Sequence, residues 1–173
     1  MPTRVLIAED ETLIRLDLRD LLARRGFQVC GEARDGEEAV ELARLLEPDV
    51  AILDVRMPRL DGIAAARRIL AERPIPLVLL TALSGRSLVG RAVEAGVFAY
   101  LVKPFREQDL VPAIQTAIAR HDELLRARRE LGRKPLREAP VEMVVTAPTG
   151  SRWPLRITRA PDGSLDVSLS DSS

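Results

Sequence analysis

The sequence predicts an α/β fold, a doubly wound five-stranded parallel sheet with helices on both faces. Five short apolar runs recur along the first two thirds of the 173-residue chain, and each is followed by a segment of helical spacing. This alternation is typical of βαβ units around a parallel sheet. Three of the runs are apolar throughout, as expected for strands buried on both faces, while Gln28 interrupts the second and indicates an edge strand. The runs are 5–8, 27–30, 50–53, 77–80 and 97–102.

Helix stop signals divide the segments between these runs. Glycine or proline follows each apolar-periodic stretch and ends the predicted helix there. The last helix begins after Pro104 and is much longer than one needed only to cover a sheet. The predicted helices are 12–25, 37–47, 63–72, 86–95 and about 105–131.

The second half of the last helix, 120–133, is crowded with charge and carries leucines on one side. Both a solvated helix and a short helical dimer seam fit this pattern, because the leucine spacing resembles a heptad only briefly. His121 lies in this charged region, and we expect it to be exposed to solvent.

Composition shifts after Gly132 to proline-interrupted runs rich in Val, Thr and Ser. Segments 141–147, 155–159 and 165–169 alternate apolar with polar residues and predict a small three-stranded meander. Such a meander is marginal alone and must pack on something, with Trp153 contributing to that packing. We therefore predict a main domain at 1–122, a helical extension at 123–134 and a β-rich tail at 135–173.

Composition also narrows the classes of partner and compartment. Lys+Arg and Asp+Glu are both 26, so no net positive field favours a nucleic acid, and the tail sequence does not support nucleic-acid binding. Cys30 is the single cysteine, which allows no intramolecular disulfide. No apolar stretch approaches the roughly 20 residues that span a bilayer, and the first residues lack signal-peptide features. We expect a cytoplasmic protein.

Polar residues follow four of the apolar runs directly. Glu9 and Asp10 follow the first run, Asp54 the third, Thr81 the fourth and Lys103 the fifth. Ligands of an open parallel sheet bind outside the carboxyl ends of its strands. In the flavodoxin-like order 2-1-3-4-5, the first and third strands are neighbours, which brings Asp10 and Asp54 together.

The residue types at these positions suit phosphoryl transfer. Three carboxylates about 6 Å apart repel by about 3 kcal/mol per pair at an effective dielectric near 20. A Mg²⁺ ion with oxygen ligands relieves this repulsion, and Lys103 supplies a cation across the pocket. An aspartate carboxylate is then the nucleophile. Taken singly, each residue is better explained as a helix cap or a turn residue, but coincidence does not explain all five at matching positions.

Four motifs together resemble the full motif set of bacterial response-regulator receiver domains, over residues 4 to about 125. They are VLIAEDE at 5–11, ILDVRMP at 52–58 with Asp61-Gly62, LLTA at 79–82 and YLVKPF at 100–105. The resemblance implies a two-component response regulator that is phosphorylated by a sensor histidine kinase and controls an output, for which gene expression is the expectation.

The same resemblance assigns a role to each matching residue. It implies that Asp54 is the phosphoacceptor, and that Glu9, Asp10, Asp54 and the backbone carbonyl of Arg56 hold Mg²⁺. It further implies that Thr81 is the switch hydroxyl, Tyr100 the rotating aromatic and Lys103 the phosphate partner, with a cis bond between Lys103 and Pro104. Homodimerisation through the face of the fourth helix, fifth strand and fifth helix, or through the extended last helix, stays open.

The sequences of residues 7–18 and 99–105 are similar to those of receivers of AmiR/NasT-type antitermination regulators. The ANTAR domain of these regulators is a small helical RNA-binding bundle. This chain departs from that family after Arg133, where the sequence shows no helical bundle pattern. We therefore do not extend the RNA binding of that family to this chain.

Two other functions share part of this pattern of residues. A haloacid-dehalogenase-type phosphatase also uses an aspartate nucleophile, Mg²⁺ and a lysine, but it needs an acid two residues after the nucleophile, where this chain has Arg56. A receiver-like interaction module without phosphorylation would not need competent residues at all five positions. We expect no enzyme activity beyond the chain's own phosphorylation and dephosphorylation.

Overall fold

The computed structural model describes residues 1–82, 86–97 and 99–130, and the backbone of three later strands at 141–146, 152–159 and 165–169. Five parallel strands and five helices alternate in the first 130 residues, as predicted. The strands are β1 Arg4–Ala8, β2 Gln28–Ala33, β3 Val50–Asp54, β4 Leu77–Thr81 and β5 Ala99–Val102. The helices are α1 Thr12–Arg24, α2 Gly36–Leu46, α3 Gly62–Glu72, α4 Arg86–Glu94 and α5 Glu107–Glu130.

The strand order β2-β1-β3-β4-β5 confirms the flavodoxin-like prediction, and all four pairings are parallel. β2 lies at the edge of the sheet, where Gln28 is exposed. β3 and β4 lie between other strands and are buried at every position. The apolar character of their sequences follows from this burial on both faces.

Alternation along the central strands divides the core into two layers. Leu6 and Leu53 face the layer covered by α2, α3 and α4. Ile7 and Ile52 face the opposite layer, which α1 and α5 cover. Since successive strand residues point to opposite faces, one run of apolar residues supplies both layers.

Two aspartates cap the helices that begin beside the carboxyl ends of the strands. The side chain of Asp35 accepts hydrogen bonds from the backbone N–H groups of Glu37 and Glu38 and caps α2. Asp61 accepts from Ala64 and caps α3. Each helix begins at the glycine after its aspartate, one residue earlier than predicted, because the cap itself is the last extended residue.

The tail continues the sheet. β6 Val141–Thr146 pairs in parallel with β5, and β7 Arg152–Arg159 and β8 Leu165–Leu169 follow in antiparallel order. The predicted meander is therefore confirmed in its strands, and its packing partner is the outer side of β5. The described sheet has eight strands, not the five of the predicted core. The predicted end of the last helix near residue 131 lies outside the described residues, as do the connections between these strands. The domain boundaries stay a prediction.

α5 has a buried stripe that extends further along the helix than its composition indicated. Leu110, Ile114, Ala117 and His121 recur at intervals of three or four residues and are all buried. The expectation that His121 is exposed was wrong, because the helical period places it on the same face as Ala117. Among the described helices, none is long and apolar enough to cross a membrane.

Two leucines of α1 allow a matched test of the core. We expect Leu22→Ala to lower the free energy of unfolding by about 2–5 kcal/mol, because Leu22 is fully buried and its loss leaves a cavity. Leu13→Ala is the control on the same helix, since Leu13 is 79% exposed, and its effect should stay within about 0.5 kcal/mol. Urea denaturation of both variants measures the difference, and equal midpoints would contradict the described packing.

Candidate functional site

The carboxyl ends of four strands bring the predicted site residues together. Glu9 follows β1, Asp54 ends β3, Thr81 ends β4 and Lys103 follows β5. The parallel registers align these ends, since Ala8 pairs with Leu53, Asp54 with Leu80 and Thr81 with Val102. One edge of the sheet therefore collects side chains that are up to 94 residues apart in the chain.

Three carboxylates form an oxygen-lined cluster at this edge. Glu9, Asp10 and Asp54 each offer one oxygen, and these atoms lie within 4.8 Å of one another. Glu9 and Asp54 are buried, whereas Asp10 is exposed. Hard divalent cations prefer carboxylate oxygens, and Mg²⁺ keeps some of its water ligands. The three carboxylates therefore fit a magnesium ion. The ion would face solvent on the side of Asp10.

Lys103 bridges the two buried carboxylates. Its Nζ lies 2.7 Å from Glu9 Oε2 and 3.1 Å from Asp54 Oδ1. The Lys103 backbone N–H donates to the Thr81 carbonyl oxygen at 2.7 Å, which holds the lysine beside the end of β4. Lys103 is thus held at its backbone by Thr81 and at its ammonium group by Glu9 and Asp54.

The pKa values of these groups reflect the crowding of negative charge. Burial raises the pKa of Glu9, against the hydrogen bond from Lys103, and the charge of Asp54 adds to the rise. Burial also raises the pKa of Asp54, against the charge of Lys103, and Asp10 adds to the rise. Burial alone would lower the pKa of Lys103, but its hydrogen bond to Glu9 and the charges of both carboxylates outweigh this and raise it. A further cation would stabilise the ionised carboxylates.

Thr81 and Tyr100 are buried next to this edge. Thr81 is 2% exposed and Tyr100 5% exposed. Tyr100 lies in β5 opposite Leu79 of β4, two residues before Thr81 in the same strand. Burial raises the pKa of the Tyr100 phenol to about 12, so the side chain is neutral at physiological pH. The peptide bond between Lys103 and Pro104 is cis, and Arg56 is exposed in the loop after β3.

Arg15 supports the site and had no signal in the sequence. Its guanidinium donates to the Glu9 backbone carbonyl at 2.6 Å and pairs with Glu32 at 3.5 Å. The residue is buried on α1, although it stands between Ile14 and Leu16 in an ordinary amphipathic pattern. It fixes the turn that carries Glu9 and Asp10, which only the contact between β1, β2 and α1 reveals.

Two glycines hold the loop 55–61 close to the site. A Cβ on Gly62 would overlap the Asp54 carbonyl oxygen, and a Cβ on Gly36 would overlap the Leu60 carbonyl oxygen. Arg59 of this loop also forms an ion pair with the buried carboxylate of Asp35. The sequence predicted helices that begin just after these glycines, but it gave no sign of the close contacts at Gly36 and Gly62. The structure shows that they also allow α2 and α3 to approach the loop that follows Asp54.

Comparisons with known proteins agree with this geometry. Residues 5–115 match the family described as response regulator receiver domain. The transcriptional regulatory protein PdtaR of Mycobacterium tuberculosis is 57% identical over 124 residues, which cover 72% of this chain. The chemotaxis protein CheY of Thermotoga maritima is 36% identical over 115 residues, which cover 66% of this chain and 96% of CheY.

A solved structure extends the likeness to the fold. The signal receiver domain of a modulated diguanylate cyclase from Desulfovibrio desulfuricans has a TM-score of 0.66 and 34% identity, over 72% of this chain and 99% of that domain. This chain spans 60% of the length of PdtaR. The motifs, the sheet order and these similarities lead to one family. The chain belongs to the response regulator receiver domains, which act in two-component signalling.

Proposed function

We propose that Asp54 accepts a phosphoryl group from a sensor histidine kinase in a Mg²⁺-dependent reaction. The position of Asp54 carries this proposal. Its carboxylate is shared between the oxygen cluster with Glu9 and Asp10 and the ammonium group of Lys103. A nucleophilic carboxylate, a metal-binding set and a phosphate-binding cation thus lie within one pocket.

Each side chain has a separate task in this reaction. One oxygen of Asp54 attacks the phosphorus of the kinase phosphohistidine, the P–N bond breaks, and the imidazole remains on the kinase as the leaving group. Glu9, Asp10 and the Arg56 backbone carbonyl would complete the metal site. The bound ion supplies charge neutralisation and a position for a phosphoryl oxygen. Lys103 already lies 3.1 Å from Asp54 Oδ1, and its ammonium group pairs with the incoming phosphoryl oxygens. Catalysis consists mostly of this positioning and charge stabilisation.

The acyl phosphate then acts on the ends of β4 and β5. Its phosphoryl group carries nearly two negative charges and three acceptor oxygens at Asp54. The Thr81 hydroxyl donates to one of these oxygens, and Thr81 moves toward the site. Tyr100 fills the space that Thr81 leaves, which biases the face of α4, β5 and α5 toward one of two conformations.

The proposal has further parts that concern the setting of the reaction. We place the protein in the cytoplasm, whose reducing conditions suit the free thiol of Cys30. Because Arg56 stands where a dehalogenase-type phosphatase needs an acid, we propose no turnover of small phosphate esters, which a para-nitrophenyl phosphate assay tests. Control of an output, the domain division at 122 and 134, and homodimerisation remain parts of the same proposal.

Removal of the nucleophile tests the phosphoacceptor. We expect Asp54→Asn to abolish the slower band in Phos-tag electrophoresis after incubation with acetyl phosphate and Mg²⁺, because the amide cannot form an acyl phosphate. Asp17→Asn is the control, since Asp17 is an exposed aspartate of α1 that lies outside the site. A labelled Asp54→Asn protein would refute the assignment.

The metal set has its own test in Asp10. We expect Asp10→Asn to weaken Mg²⁺ binding by about tenfold or more in calorimetric titration, since about 1.4 kcal/mol of lost attraction corresponds to a factor of 10. Asp10 is exposed, so the fold should keep its melting temperature. EDTA should prevent phosphorylation of the wild-type protein. Unchanged Mg²⁺ affinity in this variant would remove Asp10 from the metal site.

The raised pKa of Asp54 gives a pH-dependent stability. Because the folded-state pKa lies above the unfolded value, ionisation of this carboxyl lowers the free energy of unfolding as pH rises through the folded pKa. We expect Asp54→Asn to raise the Tm at about pH 7 without metal, by a few degrees if the relief is about 1 kcal/mol. The gain should shrink below about pH 4 and on addition of Mg²⁺.

Lys103→Met provides the opposite control for this pH profile. It removes the cation between Glu9 and Asp54 and should lower the Tm at about pH 7. Differential scanning calorimetry across the pH range measures both variants. A lower Tm for Asp54→Asn at about pH 7 would contradict the electrostatic account.

A further inference from the structure

The outer side of β5 is occupied by the chain itself. Ala99 pairs with Val144, Tyr100 with Val145 and Leu101 with Thr146, in parallel register. On its inner side β5 pairs with β4, which carries Thr81. The strand of Tyr100 is therefore bonded to the site on one side and to the C-terminal strands on the other.

The pairing of β6 with β7 shows which backbone groups face β5. Val144 lies opposite Pro154 in the antiparallel ladder, and proline has no N–H. Proline is therefore accommodated best in a non-hydrogen-bonded pair, which directs the N–H and C=O of Val144 away from β7. Since direction alternates along a strand, the N–H groups of Val144 and Thr146 face β5.

Tyr100 is buried in the structure that has β6 in place. A five-stranded sheet would leave β5 at its edge, beside solvent. Here Tyr100 is 5% exposed and belongs to the core layer under α3 and α4. The docked position of β6 thus coincides with the inward position of Tyr100.

We propose that β6–β8 is the receiver's own output element, a strand-adding partner that binds β5 more tightly when Asp54 carries a phosphoryl group. The inference rests on the proposed function of Asp54. It gives the conformational change at β5 a direct recipient within the same chain.

The coupling follows from contacts already described. The phosphoryl group draws Thr81 toward Asp54, and the Lys103 N–H holds the end of β5 to the Thr81 carbonyl. The movement of Thr81 and this hydrogen bond both favour the conformation in which Tyr100 is buried. That is also the conformation in which β5 pairs with β6. Two events that favour the same conformation reinforce each other reciprocally, by about 5- to 150-fold in affinity.

The arrangement has a consequence for other partners. Any partner that needs the backbone edge of β5, including a second copy of this chain, has to displace β6 first. Phosphorylation would then strengthen the intramolecular pairing and oppose such a partner at this edge.

Beryllofluoride with Mg²⁺ is the probe, used on the full chain as a stable substitute for the phosphoryl group. We expect its addition to slow hydrogen exchange at the Val144 and Thr146 amides, measured by NMR. The chain also has one tyrosine and one tryptophan, Tyr100 and Trp153, and both are register partners of Val145. Energy transfer from Tyr100 to Trp153 therefore reports docking independently and should persist or increase.

Val144→Pro tests the reverse direction, because it removes the N–H that faces β5. We expect it to abolish amide protection at Thr146 and to weaken beryllofluoride binding by about 5- to 150-fold in ¹⁹F NMR titrations. Val144→Thr keeps the N–H and the β-branched shape and should behave as the wild type.

The outcomes separate this inference from the function on which it rests. Beryllofluoride binding with unchanged or faster exchange at Val144 and Thr146 would overturn the inference alone, as would wild-type beryllofluoride affinity in Val144→Pro. Failure of the wild-type chain to bind beryllofluoride would overturn both proposals.

Discussion

The ammonium group of Lys103 between Glu9 and Asp54 is the interaction on which the rest of the site depends. Two carboxylates that are almost fully buried would protonate, or destabilise the fold, without a cation nearby. Lys103 provides that cation at 2.7 and 3.1 Å, and it comes from a different strand than either acid. The site therefore forms only when β1, β3 and β5 lie in their observed places.

The residues around this ion cluster restrain the backbone segments that carry Glu9 and Asp54. Arg15 ties the turn after β1 to α1 through the Glu9 carbonyl. Gly62 lets α3 begin against the Asp54 carbonyl, and the Asp35–Arg59 pair joins the following loop to the start of α2. These contacts do not touch a transferred phosphoryl group. They restrain the backbone around Asp54, and the proposed phosphoryl transfer needs this because it depends mostly on positioning.

The strands β6–β8 occupy the sheet edge at β5 that a five-stranded receiver leaves open. β6 gives β5 a second parallel neighbour, and the connection from β5 through α5 to β6 is one more βαβ unit of the same sheet. The length of α5 and the burial of His121 agree with this extension. In the proposed switch, a change at Thr81 that reaches β5 would therefore pass next to β6, a neighbouring strand of the same chain.

The sequence by itself determined the alternating fold, the strand order and the convergence of Glu9, Asp10, Asp54, Thr81 and Lys103. It could do so because period, stop signals and strand-end position are local properties, and a parallel sheet converts them into one edge. The tertiary structure alone decided the roles of Arg15 and Gly62 and the pairing of β6 with β5. These features depend on contacts between residues that are far apart in the sequence, and the residues next to each position do not indicate such contacts. His121 shows that prediction from sequence can also fail within one helix. Its charged neighbours indicated that the side chain is exposed to solvent, but it is buried because it faces the core beneath α5.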